Sequence, residues 1–170
     1  MNATNEIIGP ASEGPVTKEG KYLTFTLADE AYGIGILKIK EIIGMLPITP
    51  VPQTPDYVKG VINLRGKVIP VVGLRMMFGM EAVAYNERTC IIVVEIENQN
   101  ETLLIGIIVD AVSEVLNIKA NDIEDTPQFG AKLNTEYILG MAKSDKTVKI
   151  LLDIDRILKA DEMAMLHQAA

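Results

Sequence analysis

The sequence predicts a mostly β fold made of two similar lobes, and three observations support this prediction. Val and Ile together number 36 of the 170 residues, against eight aromatic residues and no Trp. These β-branched side chains favour pleated, half-buried strands over helices. Alternating apolar segments are joined by short polar turns, and the chain contains an internal repeat. Together these features are typical of an all-β protein built from hairpins.

Three hairpins are predicted, each from two apolar segments with a polar turn between them. The turns contain Asp29-Glu30, Arg65-Gly66-Lys67 and an Asn-rich stretch at 97–101, which are residue types that tight turns favour. The paired segments are 22–27 with 31–34, 60–64 with 68–72, and 90–96 with 102–109.

Little helix is expected. Residues 73–78 and 153–158 each predict a short helical turn, and residues 160–169, rich in Ala, Met and Glu, predict a longer C-terminal helix. Residues 46–55 contain four prolines, which cannot donate to a strand ladder, so this segment is predicted to be a sheet edge or an ordered loop.

The internal repeat is visible when the chain is shifted along itself without gaps, at two different offsets. The first shift places Tyr57 on Tyr137, and the second shift places Gly33 on Gly106. The aligned pieces keep the same order in both halves, which predicts two similar lobes. Coincidence in a Val- and Ile-rich chain is the alternative explanation.

Composition restricts the class of partner. The net charge of −7 and the pI near 4.8 argue against nucleic acid, since such binding needs clustered Lys and Arg. The most apolar stretch, residues 103–109, is far shorter than the ~20 residues of a membrane span, so no direct membrane insertion is expected. Residues 1–20 lack a signal peptide and read as a flexible leader, and the single Cys90 fits a reducing cytoplasm.

No catalytic, metal or cofactor site is predicted. His167 has no Cys or His partner, and Cys90 begins an apolar strand and reads as an inert buried thiol. The Gly33-Ile34-Gly35 stretch has Lys38 where a dinucleotide fingerprint needs its third glycine. We therefore expect a protein without enzymatic activity.

Two charged segments are not explained by folding alone. Arg65 follows an apolar strand, and Glu41 lies between Ile39 and Ile42. The plain interpretation is a solvated hairpin tip and a surface charge on a short amphipathic turn. The functional interpretation is that the opposite charges meet at a lobe junction and orient a partner through charge-assisted hydrogen bonds.

These residues lie in segments that resemble the CheW family, over residues 21–165. The most specific segment is 59–66, KGVINLRG. The supporting segments are 25–27, 32–34, 36–42, 69–72, 74–75, 106–110, 112–113 and 135–137.

The resemblance implies two SH3-like five-stranded β-barrel lobes that share an apolar seam, with short helical turns and a C-terminal helix. The implied boundaries are 1–20 for the leader, 21–159 for the domain of two intertwined lobes, and 160–170 for the helix. The implied function is a non-catalytic adaptor that couples the cytoplasmic tips of methyl-accepting chemotaxis receptors to the regulatory domain of the histidine kinase CheA. Such an adaptor is cytoplasmic and is recruited to receptor arrays at the inner face of the membrane.

Three alternatives stay open. The chain could be a regulatory fragment of a larger kinase or fusion protein, although Met1 and the trailing 168–170 favour a free-standing protein. A barrel that holds oligonucleotides or Pro-rich peptides is disfavoured by the acidic charge and the few aromatic residues. An enzyme of unknown type is the third.

The resemblance also implies site residues. Ile39, Val112 and Val115 would take the apolar face of a receptor helix, with Glu41 and Arg65 at the polar rim. Gly60 would let backbones approach closely, and a carboxylate placed there is expected to leave the fold intact while weakening receptor binding. The full receptor-binding set is Ile36, Ile39, Glu41, Gly60, Asn63, Arg65, Gly66, Gly106, Val112 and Val115, and the kinase or array interface contains Glu124 and Phe129.

Overall fold

The computed structural model describes residues 18–98, 100–127, 136–144 and 146–158. The predicted leader up to residue 17, the predicted C-terminal helix and Phe129 lie outside these residues. Within them, the mostly β class with short helical turns is confirmed.

Strands and helical turns alternate along the chain in two similar series. The first series is β1 Gly20–Leu27, β2 Glu30–Gly35, a 3-10 turn at Ile36–Lys38, β3 Ile39–Gly44, β4 Val58–Leu64, β5 Lys67–Gly73 and α1 Leu74–Met77. The second is β6 Cys90–Asn98, β7 Glu101–Val109, β8 Ala111–Ile118, a 3-10 turn at Ala120–Asp122, β9 Ile123–Glu124, β10 Ile138–Ser144, β11 Thr147–Leu152 and α2 Ile154–Leu158.

The predicted hairpins and helical turns are present, with strands extending slightly beyond the predicted segments. The first turn is made by Ala28 and Asp29, with φ values of 50° and 69°, and not by Asp29-Glu30. Arg65 and Gly66 make the β4–β5 turn, with φ values of 51° and 86°. Positive φ at both central residues is the geometry that matches the twist of antiparallel strands.

The strands in the described part of the chain form two sheets. The six-stranded sheet has the order β9-β10-β11-β2-β1-β8, and the five-stranded sheet has the order β3-β6-β7-β5-β4. The implied count of five strands is met in one sheet and exceeded in the other by the two-residue β9.

The repeat is visible in the strand register. Hairpins β4–β5 and β10–β11 have the same pairing throughout when they are aligned by the first shift, which places Tyr57 on Tyr137. Each has a β-bulge at the equivalent position, between Val58 and Gly60 and between Ile138 and Gly140. Coincidence of composition does not reproduce a register and a bulge, so the halves are structural repeats.

The two halves exchange their first hairpins. In the five-stranded sheet β5 of the first half pairs in parallel with β7 of the second, with Val71 opposite Gly106. In the other sheet β11 pairs in parallel with β2, with Leu151 opposite Gly33. The first shift places Val71 on Leu151 and the second places Gly33 on Gly106, so the two pairings are equivalent. Each sheet therefore combines strands from both halves.

Among the described residues, buried apolar side chains form three clusters. The largest joins both sheets, with Phe25 and Ile34 from one and Ile92 and Ile107 from the other. A cluster around Ile62 belongs to the five-stranded sheet alone, and a smaller one belongs to the six-stranded sheet. Each lobe therefore has its own core beside a shared apolar seam.

Each sheet is also closed by the segment that leaves its outer strand. After β3 the Pro-rich segment returns along β4 through a bridge between Thr49 and Val61. After β8 the chain returns along β10 through β9, where Glu124 lies opposite Met141. This closure agrees with SH3-like lobes. It also agrees with the prediction that residues 46–55 form a sheet edge or an ordered loop.

Candidate functional site

Four of the ten predicted receptor residues, Ile39, Glu41, Val112 and Val115, lie on β3 and β8, which are outer strands of the two sheets. Each follows a link that crosses from one sheet to the other, Ile36–Lys38 before β3 and Asp110 before β8. Ile39 and Val112 are equivalent in the repeat, and both are partly buried against the shared seam. Ile36, on the first link, also packs against the seam. The two strands thus reach the seam from opposite lobes.

Apolar side chains are exposed on the same two strands. Val115 on β8 is 49% exposed, and Ile42 on β3 is 44% exposed. They are equivalent under the second shift, which already aligned them in the sequence. The predicted set contained Val115 and missed Ile42, although the repeat was the signal that could have found it. Leu37, on the link, is 93% exposed and was missed as well.

Glu41 and Arg65 do meet, as predicted. The Arg65 guanidinium donates to the Glu41 carboxylate, with 68% of the Arg65 side chain exposed. Both residues belong to the five-stranded sheet, so the ion pair joins β3 to the β4–β5 turn within one lobe and does not cross the lobe junction. Glu41 lies on a strand, opposite Val93, where a short amphipathic turn was expected.

Asn63 and Gly66 shape the turn that carries Arg65. The Asn63 side-chain oxygen accepts a hydrogen bond from the Gly66 N–H at 2.8 Å. The Gly66 φ of 86° is accessible to glycine at little cost. Their contribution to any partner surface is to hold Arg65 in place.

Gly60 and Gly106 are buried, and atoms of neighbouring residues lie close to both of them. A Cβ at Gly60 would lie 2.1 Å from the Thr49 carbonyl oxygen, and the φ there is +141°. A Cβ at Gly106 would lie 2.8 Å from Ile91 Cγ2. Gly60 does let two backbone segments approach closely, but both segments belong to the same lobe and neither belongs to a partner. The expectation that Gly60→Asp leaves the fold intact is therefore wrong, and we leave both glycines out of the contact surface.

Glu124 is on the two-residue strand β9 at the outer edge of the six-stranded sheet. Its carboxylate lies 2.9 Å from the Lys143 ammonium, and this hydrogen bond raises the pKa of Lys143. The Glu124 side chain is 64% exposed and accessible to a partner.

An ion pair between Arg75 and Asp110 was not predicted. Arg75 Nε and Nη2 donate to the two Asp110 carboxylate oxygens at 2.8 and 2.7 Å. The Ala28 N–H also donates to Asp110, at 2.8 Å. The Arg75 hydrogen bond is the main cause that lowers the Asp110 pKa. Both residues lie in segments that resemble the family, but no sequence pattern indicated that α1 and the second link meet.

The structure supports the inert thiol that was expected at Cys90. Cys90 is partly buried, and burial raises the pKa of its thiol, which keeps it protonated. His167 lies outside the described residues. The arrangement of apolar strands and exposed ion pairs is suited to binding a partner.

No helix within the described ranges is long and apolar enough to cross a membrane.

Comparisons with known proteins agree with these features. The family model of the CheW-like domain matches residues 21–162. The chemotaxis protein CheW of Klebsiella aerogenes is 41% identical over 150 residues, which cover 88% of each chain. CheW of Rhizobium meliloti is 32% identical over 86% of this chain and 97% of its own.

A solved structure is similar as well. The crystal structure of the scaffolding protein CheW from Thermoanaerobacter tengcongensis matches with a TM-score of 0.69 and 39% identity, over 79% of this chain and 88% of that one. Sequence and fold therefore place this chain in the CheW-like domain family.

Proposed function

We propose that this chain is a non-catalytic chemotaxis adaptor that couples methyl-accepting chemotaxis receptors to the histidine kinase CheA in signalling arrays. The observation that carries the proposal is the family match over residues 21–162. The relatives are named as chemotaxis proteins, and the solved relative is described as a scaffolding protein. A scaffold needs binding surfaces and no reactive group.

The receptor surface is proposed on the outer strands β3 and β8. Ile39 and Val112 reach the shared seam, while Ile42 and Val115 remain about half exposed. An amphipathic receptor helix that lies on these side chains would bury apolar area on both partners, which is the main source of binding free energy at such interfaces. Arg65 would contact the polar side of that helix.

The kinase or array contact is proposed at the edge strand β9. Glu124 lies there with an exposed carboxylate, and Phe129 follows shortly after it in the sequence. The residues proposed for this contact are distinct from those proposed for the receptor surface on β3 and β8. The adaptor would then be cytoplasmic and recruited to receptor arrays at the inner face of the membrane.

The test is a titration of kinase activity. With receptor fragments and CheA fixed, autophosphorylation should first rise with the concentration of this protein, because each bridge converts a bimolecular encounter into a local one. At large excess it should fall, since by mass action receptor and kinase then each bind their own copy. Activity that saturates and stays level would exclude bridging and would favour binding to one partner only.

A matched pair of variants locates the receptor side. Val115→Glu places a charge on the proposed surface and should remove most of the rise. Val83→Glu changes a side chain of similar exposure, 50% against 49%, on the segment before β6, and should titrate like the wild type. Equal titrations for both variants would place the receptor contact elsewhere.

A further inference from the structure

A cavity of about 190 Å³ opens between α1, the end of β7 and the segment that precedes β6. Most of its lining is apolar and comes from Met76, Val83, Tyr85 and Ile108. Val83 and Tyr85 are half exposed at its rim. The cavity is not used by the proposed receptor or kinase contacts, so the inference does not depend on the proposed function.

One cation in this cavity has no acidic partner. The Lys59 side chain crosses over Gly73, where a Cβ would lie 3.0 Å from Lys59 Cε. Its ammonium donates to the Met76 sulfur at 3.0 Å. A thioether is a weak acceptor, and within the described part of the chain no carboxylate pairs with Lys59.

The repeat shows that the other lobe has no lysine at the equivalent position. The equivalent residue in the second half is Leu139, which packs against the core of its own lobe. The equivalent of Gly73 is Asp153, whose carboxylate interacts with Arg156. The first half thus has a lysine where the other lobe has an apolar residue, and a glycine where the other lobe has an acid.

The other charges at the cavity are already paired. Arg75 is held by both oxygens of Asp110 and also donates to the Glu81 carbonyl oxygen. The cavity therefore offers one unpaired ammonium beside an apolar wall. An anion with an apolar body would match both features, because its charge would pair with the Lys59 ammonium and its body would remove the apolar wall from water.

We propose that this cavity is a binding site for a small amphiphilic carboxylate, with its carboxylate on Lys59 and its apolar body between Met76, Val83 and Tyr85. The volume is below the roughly 300–1,000 Å³ of pockets for drug-sized ligands. The ligand is therefore a short aliphatic acid and not a long lipid. Because Gly73 has no side chain, the Lys59 side chain has room to extend over it and reach the carboxylate of the ligand.

Hexanoate is the probe, with 1-hexanol as its uncharged counterpart and acetate as the head group alone. Each is titrated into the isotopically labelled full chain while amide NMR shifts are recorded. Hexanoate should give saturable shifts at residues 73–76 and 82–89, with an affinity at least about tenfold above that of hexanol or acetate, the effect of one charge-assisted contact.

Three variants test the assignment. Lys59→Met keeps the stem without the charge and should weaken hexanoate about tenfold or more while leaving hexanol unchanged. Gly73→Asp should also weaken hexanoate, because it supplies Lys59 with an internal carboxylate. Lys67→Met removes an exposed positive charge at the β4–β5 turn and should bind hexanoate like the wild type.

The proposal is overturned by any of three results: no saturable shifts at these residues, equal binding of hexanoate and hexanol, or undiminished hexanoate binding by Lys59→Met. Dispersed amide spectra check that each variant is folded. If Lys59→Met does not fold, Gly73→Asp decides the question alone, and undiminished binding by it overturns the proposal.

Discussion

Arg65 shows how a single residue can be placed by the fold and still be free to bind. It lies in the β4–β5 turn with a φ of 51°, which is uncommon for a residue other than Gly, Asn or Asp. Its partner Glu41 is 28% exposed, whereas Arg65 is 68% exposed. Exposed ion pairs contribute only about 0–1 kcal/mol to stability. Stability alone therefore gives little reason for an arginine in this turn.

A charge swap separates the internal pair from a contact with the receptor. Arg65→Glu should weaken binding of a receptor cytoplasmic fragment at least about tenfold, because the charge at the rim is reversed. The double variant Glu41→Arg with Arg65→Glu rebuilds the internal pair with inverted charge and should remain weak. Calorimetric titration measures the affinity, and urea unfolding should show changes below about 1 kcal/mol.

Full recovery of affinity in the double variant would mean that Arg65 acts only by holding Glu41. Loss of folding in Arg65→Glu would show a structural role for this residue. The sequence predicted that these two charges meet, but it placed them at a lobe junction, since the closure of one lobe by β3 and the β4–β5 turn has no local sequence signal.

At the scale of elements, the segments that close the two lobes depend on equivalent glycines. A Cβ at Gly60 would lie 2.1 Å from the Thr49 carbonyl oxygen, and one at Gly140 would lie 3.0 Å from the Glu124 carbonyl oxygen. Of these two glycines, only Gly60 has a positive φ, at +141°. Closure of the five-stranded sheet therefore tolerates substitution less than closure of the other.

Gly60→Ala should lower the free energy of unfolding by more than about 2 kcal/mol, because the methyl group meets backbone and the φ is strained. Gly44→Ala is the control, since a Cβ there has nothing within 4 Å and the φ is ordinary. Its change should stay within about 0.5 kcal/mol, as for other surface positions. Urea denaturation measures both, and equal losses would contradict the proposed close approach.

Hairpins and helical turns could be predicted because their signals are local, namely apolar alternation and turn residues. Strands β3 and β8 could not. In β3 the more buried side chains are Ile39, Glu41 and Ile43, with a charge among them. In β8 only the two end residues are buried. Outer strands bury too few side chains to show the alternation of apolar and polar residues that is typical of a strand. Whether such a segment becomes a strand is decided by the strand that it pairs with in the folded protein.

At the scale of the whole molecule, the residue pattern predicted the repeat but not the exchange between halves, which only the family resemblance implied, as two intertwined lobes. Both halves supply Val- and Ile-rich strands with equivalent register. A parallel pairing of β5 with β2 of its own half would satisfy the same apolar pattern as its pairing with β7. Apolar matching therefore does not distinguish self-pairing from exchange, and a polar feature is needed to do so.

Two ion pairs of opposite polarity supply this distinction. Arg75 on α1 pairs with Asp110 on the link of the second half. Asp155 on α2 occupies the position equivalent to Arg75 and pairs with Lys38 on the link of the first half. If each half paired with itself, Arg75 would lie at the link that carries Lys38, one residue past the position equivalent to Asp110, and Asp155 would lie at the link that carries Asp110. Like charges would then meet at both links, so the polarity favours exchange.

Reversing one pair should remove this preference while keeping the native contacts complementary. In the double variant Lys38→Asp with Asp155→Lys, both links are acidic and both helices basic, so self-pairing is no longer penalised. Refolding from urea, followed by size-exclusion chromatography and amide NMR, should then show slow phases and a misfolded fraction absent from the wild type.

The control Lys38→Gln with Asp155→Asn removes the pair, leaves Arg75 and Asp110 unchanged, and should refold uniformly. If the reversed variant refolds as uniformly as this control, polarity does not direct the exchange, and the pairing preference lies in the packing of the shared seam.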